Sequence, residues 1–154
     1  MASRTTTSLA ALLGLFVAIQ LLRPARTNPP VDPGHTLQAR AHVPAEVDAI
    51  FARACQDCHS NLTRWPWYSQ VAPVSWLVAS DVNEGRRHMN FSEWDPRASH
   101  HSGSLFDEIC EQVRTGEMPL WFYLPLHPDA RLSPGDVNTI CAWTAAAAQG
   151  TAPR

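Results

Sequence analysis

The chain opens on one long apolar run and then shows four stretches in which apolar residues recur at helical spacing. Leu9 to Leu22 is apolar apart from Gln20. Arg4 and the polar Thr5-Thr6-Thr7-Ser8 precede it, and Arg23-Pro24 ends it. A bilayer-crossing helix takes about 20 apolar residues, so the run is borderline in length. It predicts an uncleaved single-span anchor over residues 1–23. A cleaved export signal has the same layout, but no Ala-x-Ala site follows closely. Residues 24–42 have little periodicity, and Asn28-Pro29-Pro30 and Asp32-Pro33-Gly34 mark turns and extended chain. This stretch reads as an extended linker that lifts a domain off the membrane.

The helical patterns occupy residues 43–150. Behind Pro44, which suits a first helical position, Val47, Ile50, Phe51 and Ala54 fall at i, i+3, i+4 and i+7, and Cys58 continues the face. A second helix is predicted from near Pro73, with Val74, Leu77, Val78 and Val82 inward and Gly85 ending or weakening it. A third starts at about Ser104, carries Leu105, Phe106, Ile109, Cys110 and Val113 on one side, and closes at Gly116. The fourth has Ser133 as N-cap, Pro134 next and Asp136 at the capping-box position, with Val137, Ile140, Cys141 and Thr144 on its face. No segment alternates with a strand's period, so the fold class read here is all-α.

Composition adds two points. A net charge of −2 over 154 residues speaks against nucleic acid as the main partner. Thirteen prolines suit a loop-rich fold with short helices, and six tryptophans suit flat apolar walls around something large.

The chemistry sits in Cys55-Gln56-Asp57-Cys58-His59, a Cys-x-x-Cys-His motif. Two cysteines three apart on a helical turn can reach the two vinyl groups of one porphyrin edge, and the adjoining histidine can reach the iron. The motif therefore points to one covalently attached haem c, ligated by His59. A zinc site would want a second ligand pair at similar spacing, and Cys110 and Cys141 stand far apart. A redox Cys-x-x-Cys would want a βαβ context, which is missing.

For the second axial ligand the choice is Met118, in Gly116-Glu117-Met118-Pro119-Leu120-Trp121. A thioether on a glycine- and proline-framed loop can face the far side of the ring. Such ligation raises the reduction potential. Met89 competes, His127 more weakly, and an iron without a sixth ligand is a further alternative.

Trp65-Pro66-Trp67-Tyr68, with Trp76 and Trp121, could line the haem crevice or serve as ordinary core aromatics. Arg86-Arg87 could pair with propionates or cap a solvated helix end. His100-His101 reads as solvent-facing. Cys110 and Cys141, left over after haem attachment, could form a disulfide in an oxidising compartment or remain buried free thiols.

The chain resembles the haem-binding domain family of small bacterial c-type cytochromes. The resemblance rests on Arg23-Pro24-Ala25-Arg26-Thr27-Asn28-Pro29-Pro30, on Cys58-His59-Ser60-Asn61 running into Trp65-Pro66-Trp67-Tyr68, and on Val71-Ala72-Pro73-Val74-Ser75-Trp76. It continues through Asn90-Phe91-Ser92-Glu93-Trp94, Gly116-Glu117-Met118-Pro119, and Leu132-Ser133 leading to Cys141-Ala142-Trp143. It implies a cytochrome c-like helical domain around one haem held at Cys55, Cys58 and His59, tethered to the inner membrane and facing the periplasm. The expected function is one-electron transfer between redox partner proteins, without catalysis. The alternative is a haem enzyme or sensor with an open distal position, near His88, His100 or His127.

Overall fold

A computed structural model describes residues 4–95 and 104–150. Among them lie seven α-helices and no strand, in keeping with the all-α reading. His100 and His101 fall outside the described residues.

The first helix, α1 (Arg4–Ile19), buries none of its 16 residues. Among the described residues no helix is long and apolar enough to cross a membrane. The apolar run extends to Leu22, yet the helix stops earlier, where the chain meets the rest of the molecule. The Gln20 amide donates to the Ala72 carbonyl at 3.1 Å and accepts from the Ala72 N–H at 2.9 Å.

Residues 24–42 do not hang free as a spacer. They hold a short 3₁₀ turn (Pro33–His35) and α2 (Leu37–Ala41), and Leu37 is fully buried in the core. The Leu37 N–H donates to Phe91 O, the Trp94 N–H to His35 O, and Arg40 to Trp94 O. These partners lie some fifty residues away, so periodicity could not reveal them.

α3 (Ala45–Ala54) begins just after Pro44, which serves as its N-cap, and buries Val47, Ile50 and Phe51. The chain bends at Cys55 and resumes as α4 (Gln56–His59), so Cys58 does not continue the α3 face. α5 (Val74–His88) starts near Pro73 as expected, but its buried face is Ser75, Ala79, Val82 and Gly85. Val74 and Leu77, expected inward, are 42% and 49% exposed. Gly85 does not end the helix. A Cβ on it would stand 2.7 Å from the Cys58 carbonyl oxygen, so its bareness lets α5 lie against α4.

α6 (Leu105–Thr115) and α7 (Pro134–Ala148) match expectation closely. Ser104 and Ser133 each cap a helix in a reciprocal box with Asp107 and Asp136. Gly116 ends α6 at φ +77°, the left-handed conformation that favours glycine. Cys110 and Cys141 are joined in a disulfide between these helices, with α-carbons 4.8 Å apart. The core runs from Leu37 through Phe51, Phe91, Trp94 and Phe106 to Trp143. Its rings meet at tilted or edge contacts with centroids 5.1–6.5 Å apart.

Candidate haem site

Two adjoining clefts open beside α4. One, of 350 Å³, is lined by Cys55, Cys58, His59, Gly85, His88 and Met118 among others. The second, of 290 Å³, shares Cys55, His59, His88 and Met118 and adds apolar walls from Phe51, Phe91, Ile109 and Val113. All four residues singled out in the sequence therefore meet in one place.

Each is positioned by a distinct device. Cys55 caps α3, and its carbonyl accepts from the N–H groups of Cys58 and His59, so one tight turn carries all three residues. His59 is gripped by the extended chain after α5. Its Nδ1 lies 3.1 Å from the Met89 carbonyl, and its own carbonyl accepts from the Phe91 N–H at 2.7 Å. The Phe91 ring stacks near the imidazole, with centroids 6.0 Å apart. With Nδ1–H donating to Met89, Nε2 is left as the lone-pair nitrogen for a metal, the arrangement that orients histidine ligands. Burial lowers the His59 pKa, against the raising effect of the Met89 hydrogen bond, and so favours the neutral ligand form.

Met118 sits just past the left-handed Gly116, and its N–H donates to the Gln112 carbonyl on α6. Farther along the same loop, Tyr123 donates to the Asp57 carboxylate at 3.2 Å, and Arg64 pairs with that carboxylate at 3.1 Å. The loop bearing Met118 is thus tied to the attachment turn itself. Desolvation, with the Asp57 charge second, pushes the Tyr123 pKa up and keeps it a donor. Met89, the competitor, also borders the second cleft, but its traceable role is through its carbonyl.

The remaining sequence candidates fall elsewhere. His127 hydrogen-bonds Tyr68 and stacks on Tyr123 at 3.9 Å, lining a third cleft that does not include His59. Trp67 and Tyr68 line that third cleft, while Trp65 donates to Asn28 and Trp121 is 78% exposed. Trp67 and Tyr68 thus wall a cleft that does not reach His59 but shares Asp57, Cys58, Asp81 and Tyr123 with the first. Arg86 is engaged by protein acceptors and does not cap a solvated helix end. It donates to Ser60 O, Thr27 O, Asn28 Oδ1 and Thr63 Oγ1 at 2.8–2.9 Å and staples α5 to the loop after His59. Arg87 pairs with Glu84 at the surface.

Gly85 and Arg86 take roles other than those expected from the sequence, and the polar loop Asn61–Asn90–Ser92–Glu93 is a contributor to which the sequence reading gave no role. In that loop Asn61 donates to Glu93 and accepts from Asn90, and its N–H donates to the Ser92 hydroxyl. The Asn90-Phe91-Ser92-Glu93 stretch carried the family resemblance, and that stretch was the available signal.

The residues present fit a haem. Cys55 and Cys58 are free thiols on the cleft wall, whereas the other two cysteines are bonded to each other. Burial pushes both thiols up to about 12, the opposite of the lowered thiol that drives disulfide exchange. Among the described residues no group of three or more His, Cys, Asp or Glu side chains is arranged to hold a bare metal ion. The haem-binding domain family matches residues 14–146.

This chain belongs to the haem-binding domain family.

No curated protein and no solved structure matches it. The haem-binding domain thus takes in nearly all of the described chain, including the final turns of α1.

Proposed function

We propose that this haem-binding protein holds a single haem c through thioether bonds at Cys55 and Cys58. His59 and Met118 would hold its iron, and the protein would work as a one-electron carrier rather than an enzyme. The observation that carries this reading is Met118 lining the same two clefts as His59. When bound, haem supplies a reversible one-electron couple, and a thioether opposite histidine sets its potential high. The protein's share is to hold His59 neutral through Met89, keep the Met118 loop tied to Asp57 through Tyr123, and surround the ring with apolar walls. Were His59 and Met118 both to hold the iron, they would leave no place for a substrate at the metal.

The disulfide between α6 and α7 and the thioether motif both suit an oxidising compartment. We accordingly place the domain in the bacterial periplasm, with the N-terminal segment as its attachment to the inner membrane and redox proteins as its partners. Nucleic acid has no part in this reading. One observation favours the enzyme or sensor alternative. His88, hydrogen-bonded to Glu108, borders both clefts and would lie near an open iron.

Absorption spectra of the purified holoprotein decide between the two. The carrier reading expects a low-spin iron and a weak near-infrared band from the sulfur ligand. Met118→Ala should abolish that band, lower the potential and admit cyanide or imidazole, whereas Met89→Ala should do none of these. A wild-type iron that is already high-spin and binds such ligands readily would put the enzyme or sensor reading first.

A further inference from the structure

The apolar run at the N-terminus and the apolar residues that α5 leaves outside meet at one place. Every residue of α1 lies outside the core, with Leu9 at 69% and Val17 at 59% exposure. Gln20, the sole polar residue of the run, has both ends of its amide engaged by the Ala72 backbone, which removes the cost of placing it in an apolar medium. Two residues on, the Trp76 indole donates to the Leu22 carbonyl at 2.6 Å. The foot of α1 is therefore held against the start of α5, where Val74 and Leu77 are left exposed. A 350 Å³ cleft, lined also by Asp57 and Cys58 on the side of the attachment turn, joins these two to Trp67, Phe122 and Leu126, and Trp121 lies edge-on to Phe122. Trp67 and Trp121 are 76% and 78% exposed, and Leu126 is 60% exposed. Domains rarely leave such a continuous apolar face to water.

The dimensions say what covers it. α1 has 16 residues and is about 24 Å long, short of a hydrocarbon core of about 30 Å. A short apolar helix is accommodated when flanking groups are drawn into the interface. Here the flanking group is the apolar face itself, fixed to the foot of the helix by hydrogen bonds. Tryptophans favour that depth. Arg23 and Arg26 stand at the same foot, where they suit anionic headgroups.

We propose that this face rests in the surface of the lipid bilayer, with Trp67, Leu77, Trp121 and Leu126 at headgroup depth, so that the haem domain lies on the membrane instead of standing off from it. The proposal rests on the reading of the N-terminal segment as the membrane attachment.

The test uses full-length holoprotein in vesicles of phosphatidylethanolamine and phosphatidylglycerol. Single cysteines are introduced by Leu13→Cys in the helix, Trp67→Cys and Trp121→Cys on the face, and Glu111→Cys as an exposed site on α6. Alkylation by a charged, water-soluble maleimide is timed at each. These side chains are all exposed, and an unchanged haem spectrum checks that each variant is folded. The expected result is alkylation at positions 67 and 121 slower than at 111 by an order of magnitude, recovering when the bilayer is replaced by dilute detergent. Fast alkylation at 67 and 121 with position 13 still slow would mean an anchored domain that stands off, and would overturn the proposal while sparing the anchor. Fast alkylation at all four would remove the anchor and the proposal together. Slow alkylation at 67 and 121 accompanied by oxidative cross-linking of two copies through Trp67→Cys would assign the face to a second copy and overturn the bilayer assignment.

Discussion

The two cysteine pairs of this chain sit in regions built on different principles. Cys110 and Cys141 join α6 and α7, helices with reciprocal caps at their N-termini, apolar faces at regular spacing and a glycine stop on α6. Each of those features is local, and all but the Ser104–Asp107 cap were named from the sequence. Cys55 and Cys58 lie on a bent turn whose shape depends on residues from α5, the stretch 27–28 and the chain at 89–93. Arg86, Gly85 and the Met89 carbonyl reach it from 26 to 30 residues away in sequence. The stapled pair holds structure already encoded locally, whereas the free pair sits in a turn that only distant contacts shape.

Four perturbations bear on this contrast. The largest expected effect is on the stapled side. Cys110→Ala/Cys141→Ala opens a loop spanning 31 residues and should cost about 3 kcal/mol in chemical denaturation, with haem attachment unchanged. Loss of haem in that variant would show that the two regions are not separable. Next, Gly85→Ala should destabilise by about 2 kcal/mol although alanine is the better helix former, because its Cβ would press on the Cys58 carbonyl. Equal or higher stability would show that α5 can shift away from α4 freely. Arg86→Lys should cost somewhat less, about 1–2 kcal/mol, because one ammonium cannot serve four acceptors spread across a guanidinium fork. Hydrogen exchange should quicken in residues 60–63 and remain unaltered in α6 and α7.

The smallest effect concerns Asp136. The Ser133 backbone N–H first, and Arg53 next, hold its carboxyl down at about 2. A depressed carboxylate pKa stabilises the fold above the unfolded value near 4 and loses that contribution as pH falls towards the folded value. Asp136→Asn should therefore cost about 1 kcal/mol at neutral pH, and the gap to wild type should close between about pH 4 and 2. A gap that persisted at pH 2 would assign the effect to packing instead of charge.

How much was legible follows the same divide. The α6 and α7 boundaries could be read because capping boxes, a proline at the first turn and a glycine at the last act within four residues of the helix they define. The four residues that meet at the crevice could be picked out because Cys-x-x-Cys-His has one dominant chemistry and Met118 stands in a framed loop. On α5 the expected Val82 is buried, but the rest of its inward face differs from expectation. Apolar Val74 and Leu77 were assigned to the core, which instead takes the small residues Ser75, Ala79 and Gly85 where α5 packs close. Burial there is set by how near two backbones come, and hydrophobicity does not report that. The tryptophan-rich run was recognisable as unusual, yet nothing in its order showed that Trp67 would be exposed or that Trp65 would bond Asn28.

By itself, then, the sequence determined the helical class, the last two helices with their caps, and the four residues that come together at the crevice. Local hydrogen bonds and motif chemistry need only neighbouring residues. Only the tertiary structure decided three other matters: that residues 33–41 belong to the core, that Arg86 is a staple, and that His59 is held by the Met89 carbonyl. Backbone groups are identical at every position and leave no mark in the order of side chains. Which of them meet is settled when distant segments pack.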